Sequence, residues 1–175
     1  PAGYDPLIYH AAPARESRLD LCFVGKLYPN RTALFSALAV NHERFSVVGK
    51  DHNWYNIPRR VSLNFGKERA IKKALKNRNV TPDEACRLYQ SSRICLNIHN
   101  AYARQSLNAR TFEILGAKGF QIVDHQAVSR FFDVDKEIVT FSEEEDLKKK
   151  IRYYLDHPEE RRKIAEAGHR RAAAE

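Results

Sequence analysis

The chain has no methionine among its 175 residues and begins with Pro1, so we expect it to be a piece of a longer polypeptide. Its three cysteines form no C-x-x-C pair, and we expect buried, reduced thiols of a cytoplasmic protein. No apolar run reaches membrane-spanning length, and the N-terminus carries no signal segment. No histidine stands at metal-ligand spacing from another histidine or a cysteine, so we expect no metal site.

The positive charge is concentrated in one stretch. The net charge is +8, and the stretch from Arg59 to Arg78 contains eight basic residues and one acidic residue, nearly the whole excess. Such a stretch can attract nucleic acid, anionic lipid or a phosphorylated substrate. Apart from Phe65 it lacks the interleaved aromatic rings of nucleic-acid sites. We expect a solvated basic helix face, with a membrane surface as an alternative partner and nucleic acid as the least favoured.

Apolar strand patterns alternate with helical patterns along most of the chain. Strands are predicted over Leu19–Gly25, Phe45–Gly49, Arg93–Ile98, Phe120–Val123 and Glu137–Phe141. Helices are predicted over Thr32–Val40, Glu68–Lys76, Pro82–Gln90, a segment after Ser106, a segment capped by Ser142, and Pro158–Ala173. Near-continuous apolar strands separated by helices are typical of a doubly covered parallel sheet. The predicted fold class is therefore α/β, a three-layer αβα sandwich with a mainly parallel sheet.

Local signals refine this prediction. Thr81, Pro82 and Glu84 stand at the N-cap, N1 and N3 positions of a helix with a capping box. Residues 1–18 contain three prolines and no periodic pattern. We expect a linker from a missing N-terminal domain over residues 1–18 and one domain over residues 19–175.

The stretch from Leu96 to Val123 is the most informative for function. Its central helix is apolar on most sides, and its polar line of Ser106, Arg110 and Glu113 spans roughly 60°. Arg110 and Glu113 either form an ion pair one turn apart or face a ligand beyond the carboxyl ends of the strands. His99, at the end of the preceding strand, is either catalytic or a helper histidine with satisfied nitrogens.

The first strand ends at a glycine that precedes a helix. A strand, a glycine and a helix can bring backbone N–H groups and a helix N-terminus to a phosphate. Gly25 alone is weak evidence, because the chain has neither a G-x-G-x-x-G motif nor a Walker loop. The nearby Lys26 and Arg31 favour a diphosphate.

With these features, the chain resembles the C-terminal, donor-binding half of GT-B glycosyltransferases, in the group 1 branch that includes spore-maturation-type proteins. The resemblance is carried by Asp20–Arg31, Thr81–His99, Ser106–Asp124 and Ile151–Arg171. It implies a Rossmann-like domain that binds a nucleotide diphosphate sugar, with a UDP-sugar as the expected donor. It also implies that the acceptor half is absent and that this fragment alone is inactive.

The resemblance implies roles for individual residues around the nucleoside. The glutamate matching Glu113 accepts hydrogen bonds from the ribose hydroxyls, and the base lies near Val80. The N-terminus of the helix that carries this glutamate meets the diphosphate. Its first residues are Ser106, Leu107 and Asn108.

Further roles concern the phosphates and the reaction. Gly25 and Lys26 lie against the phosphates, and Arg31 neutralises the leaving group. Arg110 does the same or orients the glutamate, and with His99 it is our candidate for a catalytic residue. Gln105 stands where many relatives carry the first glutamate of an E-x7-E pair. Because that glutamate is missing, the resemblance predicts neither a retaining mechanism nor a particular sugar.

Asp133-Val134-Asp135 matches the D-x-D tripeptide that holds a metal and a sugar nucleotide in another class of glycosyltransferase. The tripeptide is common by chance and lies here in a polar turn, so we assign it no role.

The favoured function is transfer of a sugar to an unknown acceptor, without a metal. The alternatives are a non-catalytic relative, which binds a sugar nucleotide or a protein in a surface or spore layer, and a basic nucleic-acid-binding module. We expect a cytoplasmic location, with peripheral membrane contact as an option.

Overall fold

The computed structural model describes residues 3–11, 18–50, 65–99, 107–124 and 126–174. The strands are β1 Leu19–Val24, β2 Phe45–Val48, β3 Leu75–Lys76, β4 Ser92–Asn97, β5 Gln121–Val123 and β6 Val139–Thr140. The helices are α1 Pro29–Asn41, α2 Phe65–Ala74, α3 Pro82–Gln90, α4 Ala109–Gly116, α5 Glu144–Asp156 and α6 Pro158–Ala173, with a 3₁₀ turn at Gln126–Arg130. The six strands form one parallel sheet in the order β3-β2-β1-β4-β5-β6. The predicted Rossmann-like αβα sandwich is confirmed.

The strand order reverses between β1 and β4. These strands pair in parallel, with Leu21 opposite Ile94 and Cys22 opposite Cys95. The chain leaves β1 toward one edge of the sheet and returns at β4 to build the other edge. Ligands of open α/β sheets bind where the order reverses, outside the carboxyl ends of the strands.

The two faces of the sheet are covered by different helices. Because successive side chains of a strand point to opposite faces, β4 sends Ile94 and Leu96 into one core and Cys95 into another. The first core packs under α1, α2 and α5, and Ile164 and Ala165 of α6 also belong to it. The second packs under α3 and α4, and it continues through α6 and the 3₁₀ turn. The three cysteines are buried and free, which confirms their predicted burial.

Two predicted helix boundaries are wrong. The helix predicted over Glu68–Lys76 begins at Phe65 and ends at Ala74, because Leu75 and Lys76 form the edge strand β3 against Val47 and Val48. A strand of two residues is too short to show the alternation of apolar and polar residues from which strands are predicted. Helix α1 begins at Pro29 rather than Thr32, since proline is well suited to the first helical turn.

The cap predicted at Ser142 is also wrong. The N-cap of α5 is Glu143, which makes no side-chain cap hydrogen bond. Ser142 instead donates its backbone N–H to Asp146 Oδ2 at 3.1 Å. The capping box at Thr81 and Glu84 is confirmed, with both of its hydrogen bonds present.

The predicted basic stretch lies partly outside the described residues. Its described part exposes Lys72 and Lys73 on α2, and Lys76 and Arg78 beyond the helix, which fits a solvated basic face. Among the helices of the described residues, none combines the length and the apolar composition needed to cross a bilayer.

Candidate functional site

The site is built where β1 and β4 end side by side. Gly25 follows β1, and His99 follows β4 after one further residue. Helix α4 begins at the same edge, with Asn108 as its N-cap. The first helical residue is Ala109, three residues after the predicted start at Ser106, and Ser106 lies outside the described residues. Chain segments more than 80 residues apart thus meet at the point where the strand order reverses.

Gly25 makes room for an arginine. Its φ of 145° lies in a region that side chains other than glycine's rarely adopt. A Cβ atom at this position would overlap Nη2 of Arg110 and would lie 3.4 Å from the ring of Phe23. Glycine is therefore required here for both its backbone conformation and the close approach of the guanidinium group.

Arg31 is a buried cation at the same place. It is 4% exposed, and it donates from Nη1 to the carbonyl oxygen of Lys26 and from Nη2 to that of Ile98, each at 2.6 Å. Its Nε is buried without a hydrogen-bond partner. Burial and the nearby charge of Arg110 lower the pKa of Arg31 to about 10. The side chain thus spans the ends of two strands and keeps one unsatisfied donor.

Both arginines lie over the same aromatic ring. The guanidinium carbon of Arg31 is 5.2 Å from the centroid of Phe23, and that of Arg110 is 4.8 Å from it. Arg110 also donates from Nη1 to Oδ1 of Asn97 at 3.3 Å. Cation–π contacts and neutral acceptors stabilise each guanidinium without neutralising it. Two like charges therefore lie over one ring, close enough for the charge of Arg110 to lower the pKa of Arg31.

A buried amide network fixes the start of α4. Asn97 is fully buried and donates to Oγ1 of Thr111 at 2.9 Å and to Oε1 of Gln121 at 3.1 Å. Its Oδ1 accepts from Nδ2 of Asn108 at 2.9 Å. Oδ1 of Asn108 in turn accepts from the backbone N–H of Thr111 at 3.0 Å, closing the N-cap. The prediction from sequence did not include Asn97 or Gln121, although an amide within an apolar strand run was a usable signal.

His99 is hydrogen-bonded to the start of this helix. Its backbone N–H donates to Oδ1 and Oδ2 of Asp124 at 2.8 and 2.9 Å, and Nδ1 is 2.8 Å from Oδ1 of the same residue. Nε2 accepts from the backbone N–H of Asn108 at 3.2 Å. That donor assigns the neutral tautomer, with the proton on Nδ1 facing Asp124. Both ring nitrogens have partners, which favours the helper histidine over the catalytic one.

Glu113 lies one turn beyond Arg110 and is half-buried. Burial raises its pKa, and the charge of Arg110 opposes that rise by a smaller amount. The guanidinium group of Arg110 donates to Asn97. Glu113 is therefore a partly desolvated carboxylate one helical turn beyond Arg110 on α4.

The other predicted residues line the rim. Lys26 is exposed next to Gly25, and Val80 is half-buried just before α3. Leu107 is half-buried and packs against the core under α4 and α6. Asp133 of the D-x-D tripeptide pairs with Lys136 at 2.9 Å in an exposed turn. Within the described ranges, no three histidine, cysteine, aspartate or glutamate side chains are grouped to hold a metal ion.

The sheet order, with its reversal between β1 and β4, is that of a Rossmann-like domain of the GT-B type. The C-terminal domain of the glycosyl transferase group 1 family protein LpcC from Francisella tularensis superposes with a TM-score of 0.70 at 14% identity, over 99% of this chain and 98% of that one. The Anabaena protein Alr3699/HepE, solved with UDP and glucose, has a TM-score of 0.69 at 13% identity, over 98% of this chain and 50% of that one. At such identities these matches show the fold alone.

The chain belongs to the glycosyl transferase-like family, whose model matches residues 31–175. It is 29% identical over 162 residues to the spore protein CgeB of Bacillus subtilis (strain 168), which corresponds to 86% of this chain and 48% of CgeB. The chain thus spans about half the length of this curated relative. The resemblance described from the sequence motifs is confirmed at the level of family and fold.

Proposed function

We propose that the chain binds the nucleoside diphosphate part of a nucleotide sugar, as the donor half of a glycosyltransferase. The observation that carries this proposal is the convergence of Arg31 and Arg110 beside Gly25. Two guanidinium groups in a partly buried place repel each other and lose hydration. The charge of Asp124 offsets only part of this cost at Arg31, whose pKa stays lowered, so a further anion would stabilise the pair. A diphosphate supplies that anion and accepts hydrogen bonds from planar guanidinium groups.

The start of α4 adds donors to the same place. The first N–H groups of a helix and its dipole favour an anion. The amide network under Asn97 holds this helix start in one position relative to β4 and β5. Donors that are fixed before the ligand arrives need no reorganisation when charge develops.

The reaction follows from this charge. The bond between the anomeric carbon and the diphosphate oxygen breaks, and an acceptor oxygen forms the new bond to that carbon and loses its proton. Arg31, Arg110 and the N-terminus of α4 hold the departing diphosphate, and each good donor contributes roughly 10²–10³ in rate. The proposal places no metal in this step.

The nucleoside is placed by the remaining residues. The ribose hydroxyls donate to Glu113, the base lies at Val80 near the start of α3, and Lys26 reaches the phosphates from the rim. A UDP-sugar is the donor that we propose, supported by the fold shared with HepE, which is solved with UDP and glucose.

Titration calorimetry tests the proposal with UDP, GDP and ADP on the wild-type chain and on Arg110→Gln. We expect saturable binding of one diphosphate, UDP first, and a loss of affinity of about tenfold or more in the variant. Arg152→Gln is the matched control, because Arg152 is exposed on α5, and it should bind like the wild type. Equal affinity of both variants, or no binding of any diphosphate at millimolar concentration, would contradict the proposal.

The match to CgeB, named as a spore protein, supports a second candidate. In that case the domain binds a nucleotide sugar or a protein without transferring a sugar. Release of UDP from UDP-glucose by the whole polypeptide, acceptor half included, distinguishes the two candidates, since a transferase hydrolyses its donor slowly even without an acceptor and a pure binding protein does not.

A further inference from the structure

Asp124 follows β5 directly and lies at the carboxyl end of the sheet, beside the chain that leaves β4. Its backbone N–H donates to the carbonyl oxygen of Asn97 at 3.3 Å, which continues the pairing of β5 with β4. Its side chain turns to His99, two residues beyond β4, and makes three contacts there. The sequence motifs predicted no role for this aspartate.

Two N–H groups of His99 face the carboxylate of Asp124. The backbone nitrogen is 2.8 Å from Oδ1 and 2.9 Å from Oδ2, and Nδ1 is 2.8 Å from Oδ1. An ionised carboxylate is an acceptor only, so it can receive both N–H groups at once. An amide cannot, because either orientation would set its NH₂ group against the backbone N–H. The geometry therefore requires the charged acid at this position.

The carboxylate decides which nitrogen of His99 carries the proton. With the proton on Nδ1, Nε2 is free to accept from the backbone N–H of Asn108 at 3.2 Å. With the proton on Nε2, two N–H donors would face each other across the same distance. The side chain of His99 is 4% exposed, so an unpaired donor there would be buried and costly.

Asn108 connects this pair to the ligand side of the domain, because it is the N-cap of α4. His99 accepts from its N–H, and its own Oδ1 accepts from the N–H of Thr111. The N–H groups of Ala109 and Arg110, which lie between these two in the described part of α4, take no part in this network. They are the donors that the first turn of the helix can offer to an anion.

We propose that Asp124 is a positioning residue, which fixes the tautomer of His99 and thereby the position of the α4 N-terminus at the diphosphate. This inference rests on the proposed function, in which the start of α4 holds the diphosphate. A carboxylate in contact with phosphate oxygens would repel them, so Asp124 acts through His99 and does not itself touch the nucleotide.

The first measurement observes the tautomer by ¹⁵N NMR of the imidazole groups at pH 8. His99→Gln identifies the signals of His99 among those of the seven histidines. We expect a protonated Nδ1 and an unprotonated Nε2 in the wild type, and a proton moved at least in part to Nε2 in Asp124→Asn. Asp156→Asn is the matched control, because it changes an exposed carboxylate at the end of α5, and it should leave the His99 signals unchanged.

The second measurement is a double-mutant cycle on UDP affinity, followed by titration calorimetry. Asp124→Asn should weaken UDP binding about five- to tenfold, the size of one hydrogen bond at the helix start, and Asp156→Asn should bind like the wild type. His99→Gln should weaken binding a few-fold, since its Oε1 can take the place of Nε2 but no carboxylate orients it. In that background Asp124→Asn should change the affinity by less than about twofold, because no imidazole tautomer is left to fix.

A conservative variant completes the set. Asp124→Glu keeps a group that only accepts, so it should retain the proton on Nδ1 and bind UDP more tightly than Asp124→Asn does. Urea denaturation of each variant establishes that the chains compared are folded under the conditions of the titration. Should Asp124→Asn not fold, the comparison of Asp124→Glu with the wild type decides, and a proton on Nε2 in Asp124→Glu would count against the role of the carboxylate.

The outcomes distinguish this inference from the proposed function. A wild-type His99 protonated on Nε2 overturns the inference, and so does an Asp124→Asn variant that keeps either the wild-type tautomer or the wild-type affinity. An equal loss of affinity in the presence and absence of His99 would show that Asp124 acts by another route, which also overturns it. If the wild-type chain binds no diphosphate, the proposed function fails and the inference fails with it.

Discussion

The two faces of the sheet differ in what they bury. Under α1, α2 and α5 the core consists of apolar side chains such as Leu21, Ile94 and Leu96. The buried cation Arg31 lies beside this core at the strand ends, over the ring of Phe23. Under α4 the same sheet buries the amide of Asn97, joined to Thr111 and Gln121. Both faces come from the same strands through the alternation of side chains. The difference teaches that buried polar groups are concentrated where they support the helix start that faces the ligand.

The largest loss of stability is expected from a substitution on the apolar face. Leu147 of α5 is fully buried in the first core, and Leu147→Ala should lower the free energy of unfolding by about 2–5 kcal/mol, since a cavity replaces buried surface. The affinity for nucleotide should stay unchanged in the folded protein, because α5 contributes nothing to the candidate site. Urea denaturation and a UDP titration measure both effects, and a loss of affinity alongside stability would show that the faces are not independent.

A substitution on the polar face should lower stability less and nucleotide affinity more. Asn97→Ala removes the hydrogen bond that Oε1 of Gln121 accepts and one of the two that Oγ1 of Thr111 makes, and we expect a loss of about 1–3 kcal/mol. Unlike Leu147→Ala, it should also weaken UDP binding, because Asn108 and Arg110 both donate to Asn97. The same denaturation and titration apply, and an unchanged affinity would refute the link between the network and the site.

Helix caps offer a finer comparison. Thr81→Ala removes the capping box of α3 and should cost about 1 kcal/mol. Ser142→Ala, at the position that the sequence marked as a cap, should change stability by less than about 0.5 kcal/mol, because Glu143 is the N-cap of α5. Equal losses in the two variants, measured by denaturation, would contradict the assigned caps.

The smallest expected effect depends on pH. Because burial raises the pKa of Glu113, its carboxylate takes up a proton at a higher pH than an exposed glutamate does. The affinity for UDP can be divided by the affinity for 2′,3′-dideoxy-UDP, which lacks both ribose hydroxyls. This ratio should have its full value well above this pKa, and it should fall as the pH drops through the pKa. Taking the ratio cancels the ionisation of the phosphates, and in Glu113→Gln it should not vary with pH. A pH-independent ratio in the wild type would count against the carboxylate as the ribose acceptor.

Much of the fold was predictable from the sequence. The αβα architecture, the capping box at Thr81 and the last helix over Pro158–Ala173 are all confirmed. Each follows from signals within a few residues, namely apolar periodicity, cap residues and proline positions. The edge strand Leu75–Lys76 escaped prediction because its identity depends on pairing with β2 and not on its own pattern.

The site was predictable only in part. Gly25, Arg31, Arg110 and Glu113 were selected from motifs, and the structure places them around one edge of the sheet. Asn97 was not selected, because a single amide is hidden in an otherwise apolar strand.

The sequence by itself therefore determined the order and type of the elements and the residue types available at each strand end, because backbone preferences and amphipathic periods are local. Only the tertiary structure decided that Arg31 and Arg110 share the ring of Phe23 and that the amides of Asn97 and Asn108 meet at the start of α4. These contacts depend on the strand order that sets β1 beside β4 and on the packing of α4 against the end of β4. Both arise from burial of distant parts of the chain against each other, and no short stretch of sequence encodes them.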